Sequence, residues 1–291
     1  MNAVADAELI HKACKGIGTD EDKLISVIGN RPPEHLKAVE AVYKKNYGKS
    51  LIDVLKSETG GNLEEALVAM CRTNAENDAY TLKEAMKGAG TDEGDLLEIL
   101  CARSNEEITA ISAAYKQMYS KSLEDAVKSE TSGDLKRLFV MMLTANRNES
   151  LAPNPQEVAA DVEELYKAGQ GKIGTNETVF LRIFTQRSIM HLRMVDAAYG
   201  QKYEKTLKHV IEKEFGGHVM KALKSILDYT MDRNLYFAEL LDDSMKGSGT
   251  KDKMLIRNVA HMRGPMREEI KTTYLRKYGK SLLQRIASET S

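Results

Sequence analysis

At 291 residues the chain is long enough to bury a substantial core, either as two conventional domains or as one extended array. With 29% charged residues, 42% apolar residues and a formal net charge of −1, it is not a disordered chain and has no general attraction for nucleic acid. Only five prolines, 6% aromatic residues and no Val/Ile/Thr alternation favour an all-α fold.

In chain order, the opening "MNAVADAELIHKACK" carries acids where a secretion signal carries positive charge and an apolar core, and no segment reaches the roughly 18 apolar residues of a spanning helix. Next comes "ACKGIGTDED" (Ala13 to Asp22), a glycine loop between two apolar-periodic segments. Leu24, Ile25, Val27 and Ile28 then fall on one helical face, and Tyr43 and Tyr47, four apart, form a second buried stripe. A further amphipathic stretch, "NLEEALVAMC", follows Glu58. The same order returns with "KGAGTDEG" at Lys87, Leu96, Leu97, Ile99 and Leu100, then "DLKRLFVMML". It returns again with "GKIGTNET" at Gly171, Phe180, Leu181, Ile183 and Phe184, then "HVMKALKSIL". A fourth loop, "KGSGTKDK" at Lys246, precedes Leu255, Ile256 and Val259, with Asn258 in place of one apolar residue.

Taking Gly18, Gly90, Gly174 and Gly249 as origins, tyrosines recur 25 and 29 residues on, leucines 33 on and glutamates 40 on: Glu58, Glu130, Glu214 and Glu289. This is a fourfold repeat with room for about five short helices in each copy. The expected divisions are 1–74, 75–145, 158–232 and 233–291. The polar, proline-bearing segment 146–157 between the second and third reads as a linker between two pairs of repeats. Cys14, Cys71 and Cys101, odd in number and without a CxxC spacing, read as reduced core thiols.

The loops lack the ingredients of a phosphate cradle. "GKS" occurs at Gly48 and Gly279, but Tyr43 and Tyr274 stand where a Walker loop needs its first glycine, and no GxGxxG lies in a βαβ pattern. Glycines let several carbonyl oxygens point outward together. A carboxylate recurring 40 residues away makes sense if folding brings it onto those carbonyls. About five hard oxygens with open positions suit Ca²⁺, which takes about 6–8 at flexible geometry, better than Mg²⁺. An open position can accept a lipid phosphate oxygen.

The array of K-G-x-G-T loops, with "SETGG" and "SETSG" motifs at the distal glutamate, resembles the annexin family over essentially the whole chain. That resemblance implies an all-α fold of four repeats of about five helices in a curved disc, with calcium loops that dock on anionic phospholipid. It implies Ca²⁺ ligands at Cys14, Gly16, Gly18 and Glu58; at Met86, Gly88, Gly90 and Glu130; at Gly169, Lys172, Gly174 and Glu214; and at Met245, Gly247, Gly249 and Glu289. Ile17 and Ile173 would dip into the headgroup layer. Lys15, Lys87 and Lys246 would each add on the order of 1 kcal/mol at an anionic surface. Asp78, Glu98, Arg103 and Arg257 match charged positions of the family's central passage, where an ion-pair network fixing the packing is expected.

The sequence also departs from that pattern. It stops two residues after Glu289, so the fourth repeat is expected to lack its last helix and to expose a groove that another segment or a second molecule fills. Arg31, Arg103 and Arg187 recur 13 residues after the origin glycine, but Met262 stands there in the fourth repeat, with Arg263 one later. The first helix is expected to begin almost at Met1, leaving practically no N-terminal tail for partner proteins.

An enzyme is disfavoured: there is no GxSxG or HExxH, and the six histidines do not recur at ligand or triad offsets. The expected protein is cytoplasmic and peripheral at membranes when calcium rises. A scaffold reading, with self-association or a cytoskeletal partner and calcium secondary, stays open.

Overall fold

The computed structural model describes residues 1–171 and 173–290, which form nineteen helices and no strand. Repeat 1 holds α1 (Ala3–Ala13), α2 (Glu21–Ile28), α3 (Pro33–Tyr47), α4 (Leu51–Glu58) and α5 (Gly61–Cys71). Repeat 2 holds α6 (Asn74–Ala85), α7 (Glu93–Leu100), α8 (Asn105–Tyr119), α9 (Leu123–Glu130) and α10 (Gly133–Leu143). Repeat 3 holds α11 (Pro155–Ala168), α12 (Glu177–Gln186), α13 (Ile189–Tyr203), α14 (Leu207–Glu214) and α15 (Gly217–Met231). Repeat 4 holds α16 (Arg233–Ser244), α17 (Asp252–His261), α18 (Pro265–Tyr278) and α19 (Leu282–Glu289).

Local chemistry sets these boundaries. The third helix of repeats 1 and 4 ends on a left-handed glycine, Gly48 at φ 73° and Gly279 at φ 68°. Two residues later a hydroxyl caps the next helix: Ser50, Ser122, Thr206 and Ser281 each accept the N–H three positions on. The two "GKS" triplets are thus a helix stop followed by a helix start. The first tyrosine of each stripe is fully buried and meets the second at ring-centroid distances of 4.8, 5.0, 4.9 and 4.6 Å. Leu51, Leu123, Leu207 and Leu282 are buried beside them, each contributing about 1.5–3 kcal/mol.

The chain divides into two compact units, 1–77 with 237–291, and 78–236. Within the first, α5 of repeat 1 packs on α17 of repeat 4; within the second, α10 packs on α12 and α15 on α7. The segment 146–157 therefore joins two repeats of the same unit instead of separating two packed pairs. Its last residues are helical, since α11 begins at Pro155 with Asn154 as its cap. Its irregular part is tied down: Arg147 donates to the carbonyls of Phe184 (2.7 Å) and Arg187 (3.2 Å), and the Asn148 N–H to that of Gln186 (2.8 Å).

Repeat 4 is rearranged where the arginine spacing breaks. Met262 is buried, while Arg263 turns to the end of α5, donating to the carbonyls of Ala69 (3.1 Å) and Arg72 (2.9 Å). Asn258, where the other repeats place Val27, Ile99 and Ile183, is buried and spends its amide on the Met254 carbonyl at 3.0 Å. Burial raises the thiol pKa of all three cysteines, to about 11 at Cys14 and about 12 at Cys71 and Cys101, so they are poor nucleophiles.

Candidate metal centres and their loops

Each glycine loop closes on itself through one backbone bond across its neck. Asp20 N–H reaches the Ala13 carbonyl (2.9 Å), Asp92 that of Ala85 (2.8 Å), Asn176 that of Ala168 (2.7 Å) and Lys251 that of Ser244 (2.8 Å). Between these anchors the chain must reverse within a few residues, and the glycines permit it. Gly16 and Gly18 sit at φ 120° and 87°, Gly88 and Gly90 at 93° and 103°, Gly174 at 79°, and Gly247 and Gly249 at 97° and 111°. These are values an L side chain resists.

The distal glutamates meet the loops. Thr19 donates its hydroxyl to Glu58 Oε2 (3.1 Å), Thr91 to Glu130 Oε2 (3.4 Å) and Thr175 to Glu214 Oε2 (2.7 Å). Gly169 lies against Glu214, whose Cγ would be 3.3 Å from a Cβ added there. Cys14 lies close enough to Glu58 that the carboxylate charge, after burial, raises its thiol pKa. Each glutamate is the last residue of its helix, where the macrodipole disfavours negative charge by about 0.3–1 kcal/mol. An acid held at a helix C-terminus beside a glycine loop is poised to receive a cation. Lys172 lies outside the described residues, and no cluster of three His, Cys, Asp or Glu side chains suited to a metal occurs among those described. Backbone carbonyls with a single acid would not form such a cluster.

In repeat 4 the loop and acid also meet, but through Arg285. It donates to Glu289 Oε1 at 2.5 Å and to the Met245 carbonyl.

The loop tips differ in the way their sequences differ. Ile17 and Ile173 are fully exposed, at 110% and 104%. Lys15 is exposed, Lys87 pairs loosely with Glu84 (3.4 Å), and Lys246 is held by Asp243 (2.7 Å) and Asp242 (3.2 Å). Those two acids raise the ammonium pKa of Lys246 and neutralise its charge locally.

Arg103 and Asp78 form a bidentate, fully buried pair at 2.7 and 3.1 Å, inside one repeat. Glu98 is half-buried on α7, and Arg257 is buried on α17 in the other compact unit. The Asp78–Arg103 pair has counterparts in Asp6–Arg31 (2.7 and 3.0 Å) and Asp161–Arg187 (2.6 and 3.1 Å). Two histidines join them, His35 Nε2 to Asp6 and His191 Nε2 to Asp161, each at 2.7 Å. Both histidines stand 17 residues after the origin glycine, a recurrence that a search for catalytic or ligand spacings passes over. Sequence reading also missed Lys205, His209 and Lys213, which line a cleft with Gln170 and Glu214. Their i, i+4, i+8 spacing was the available signal.

The chain matches the Annexin family model over residues 5–70, 77–142, 160–226 and 236–291. It is 40% identical to annexin A7 of Macaca fascicularis over 291 residues, covering all of this chain and 60% of that protein. It is 41% identical to annexin A13 of Homo sapiens over 286 residues, covering 98% of this chain and 90% of the other. Among solved structures it resembles annexin III, with a TM-score of 0.97, 36% identity and coverage of 100% and 90%. It also resembles calcium-bound annexin (Sm)1, with a TM-score of 0.85, 32% identity and coverage of 100% and 87%. Annexins are known generally for calcium-dependent phospholipid binding and are generally not enzymes. No described helix is long and apolar enough to cross a membrane. With four repeats matched and the full length aligned at this identity, the chain belongs to the annexin family.

Proposed function

We propose that this chain binds anionic phospholipid membranes reversibly and in a calcium-dependent way, through the loops of repeats 1, 2 and 3. The observation that carries this reading is the meeting of loop threonine and distal glutamate in those three repeats, beside glycines in left-handed conformations. The residues fit a hard, oxygen-seeking cation. In repeat 1 the carbonyls of Cys14, Gly16 and Gly18 with the Glu58 carboxylate would hold calcium; in repeat 2 those of Met86, Gly88 and Gly90 with Glu130. In repeat 3, Gly169, Gly174 and Glu214 would hold it. Bound calcium supplies open coordination positions for a lipid phosphate oxygen.

The rest of the surface works with that bridge. Ile17 and Ile173 project fully into solvent and would enter the headgroup layer. Lys15 and Lys87 add attraction at an anionic surface, and Lys205, His209 and Lys213 extend it beside Glu214. The chain acts as a peripheral binder and carries no catalytic role.

Co-sedimentation with phosphatidylserine and phosphatidylcholine vesicles over a range of calcium concentrations tests the proposal. Pelleting with the anionic vesicles alone, reversed by chelator and abolished in the Glu58→Gln, Glu130→Gln, Glu214→Gln triple variant, is the expected result. Pelleting indifferent to calcium and to the triple variant would reject it in favour of a calcium-independent scaffold.

A further inference from the structure

One helical turn before each distal glutamate, 36 residues after the origin glycine, repeats 1, 2 and 3 carry Val54, Ala126 and Val210, all buried. Repeat 4 carries Arg285, with a side chain 26% exposed. Its guanidinium donates through Nη1 to Glu289 Oε1 at 2.5 Å and through Nη2 to the Met245 carbonyl. Those two oxygens are the counterparts of Glu58 with Cys14, and of Glu130 with Met86. A single cationic side chain therefore bridges the loop carbonyl and the distal carboxylate that calcium would have to bridge. In the other three repeats the carboxylate accepts the neutral hydroxyl of a loop threonine, a partner that brings no charge of its own.

We infer that Arg285 is a tethered cation occupying the fourth calcium site, so that repeat 4 closes its loop on Glu289 without calcium and takes no part in calcium binding. The inference rests on reading the other three loops as calcium sites. The guanidinium is a planar, forked cation that suits two oxygens at once. It is also covalently held next to its partners, so a calcium ion must displace two charge-assisted bonds whose donor never leaves the neighbourhood. Lys246 on the same loop is already engaged by Asp242 and Asp243. Repeat 4 thus meets its distal acid with a cation where repeats 1 and 2 meet theirs with a neutral hydroxyl.

The test is a calorimetric calcium titration of the full chain without lipid, comparing the parent with Glu289→Gln, Arg285→Val, the corresponding double variant and Glu58→Gln. Valine stands at the matching position of repeats 1 and 3, and circular dichroism of each variant checks that the fold is kept. Arg285→Gln is a second variant should the valine fail to pack. Expected is that Glu289→Gln leaves the number of bound calcium ions unchanged, while Arg285→Val and Arg285→Gln each gain one that the double variant forfeits. Loss of an ion in Glu289→Gln, or no gain on removing Arg285, overturns the inference. Should Glu58→Gln lose nothing while Arg285→Val still gains an ion, the reading of repeat 1 fails and the inference for repeat 4 stands.

Discussion

In repeat 3 the junction of the first three helices is tied by Asp161, whose carboxylate takes Arg187 and His191 at 2.6 and 2.7 Å. At the matching places repeat 4 has Phe237 for the aspartate and Met262 for the arginine, both buried, and the phenylalanine ring stacks on His261 at 5.3 Å. One backbone frame thus accepts either a buried ion pair or an apolar stack. The pair pays a desolvation cost and returns directional hydrogen bonds; the stack gains dispersion and burial with looser geometry. The same contrast reaches the loops, since repeat 3 meets its glutamate through a neutral threonine and repeat 4 through Arg285. Glycines and tyrosine stripes keep the frame constant, and the polar residues around it are free to change.

Importing the acid into repeat 4 without its partner breaks this comparison most severely. Phe237→Asp places an unpaired carboxylate at a position 1% exposed and should cost about 3–5 kcal/mol in urea denaturation. Adding Met262→Arg should recover part of it, with a favourable coupling of at least about 1 kcal/mol in the double-mutant cycle. Zero coupling would mean that repeat 4 has lost the geometry for the pair as well as its residues.

The next effect is smaller and depends on pH. The Arg31 hydrogen bond holds the Asp6 carboxyl below its ordinary range against the opposing effect of burial, with His35 adding to the lowering. A depressed carboxylate contributes stability that is complete above its unfolded pKa of about 3.9 and lost as pH falls through the folded value. Asp6→Asn should therefore cost about 1.5–3 kcal/mol near neutrality, and the gap to the parent should close in more acid solution. Urea titrations at neutral pH and on either side of about pH 4 measure the convergence. A gap of constant size would show that the pair acts through packing alone, as Phe237 does.

Much of the frame was legible in the sequence because periodicity and repetition reinforce each other. Tyr43, Tyr115, Tyr199 and Tyr274 recur at one offset and are all buried. The pairing of repeats was not legible: the prolines near residue 150 suggested a division, yet Arg147 and Asn148 tie that segment to the end of α12 within one unit. Composition reports irregular backbone and says nothing of what that backbone bonds to. Arg285 escaped for a related reason. A match of glycines and a glutamate tests whether ligands are present, whereas the side chain filling their gap lies at an offset the motif does not include.

Helix starts give the finest form of the contrast. In repeat 4 the N-cap of α18 is Gly264, whose φ of 58° and ψ of −140° are open almost to glycine alone, and no side chain caps the helix. Nothing lies within 4 Å of an added Cβ, so Gly264→Ala should lose about 1–3 kcal/mol through backbone strain only. In repeat 2 the equivalent α8 begins with a reciprocal capping box: the Ser104 hydroxyl accepts the Glu107 N–H at 3.2 Å, and Glu107 accepts the Ser104 N–H at 2.8 Å. Ser104→Ala leaves the second bond intact and opens the first N–H to water at an exposed site, so its cost should be the smallest here, about 1 kcal/mol. Thermal denaturation of both variants ranks them. An alanine at Ser104 costlier than one at Gly264 would mean that the cap orients α8 against its core, as well as satisfying one donor.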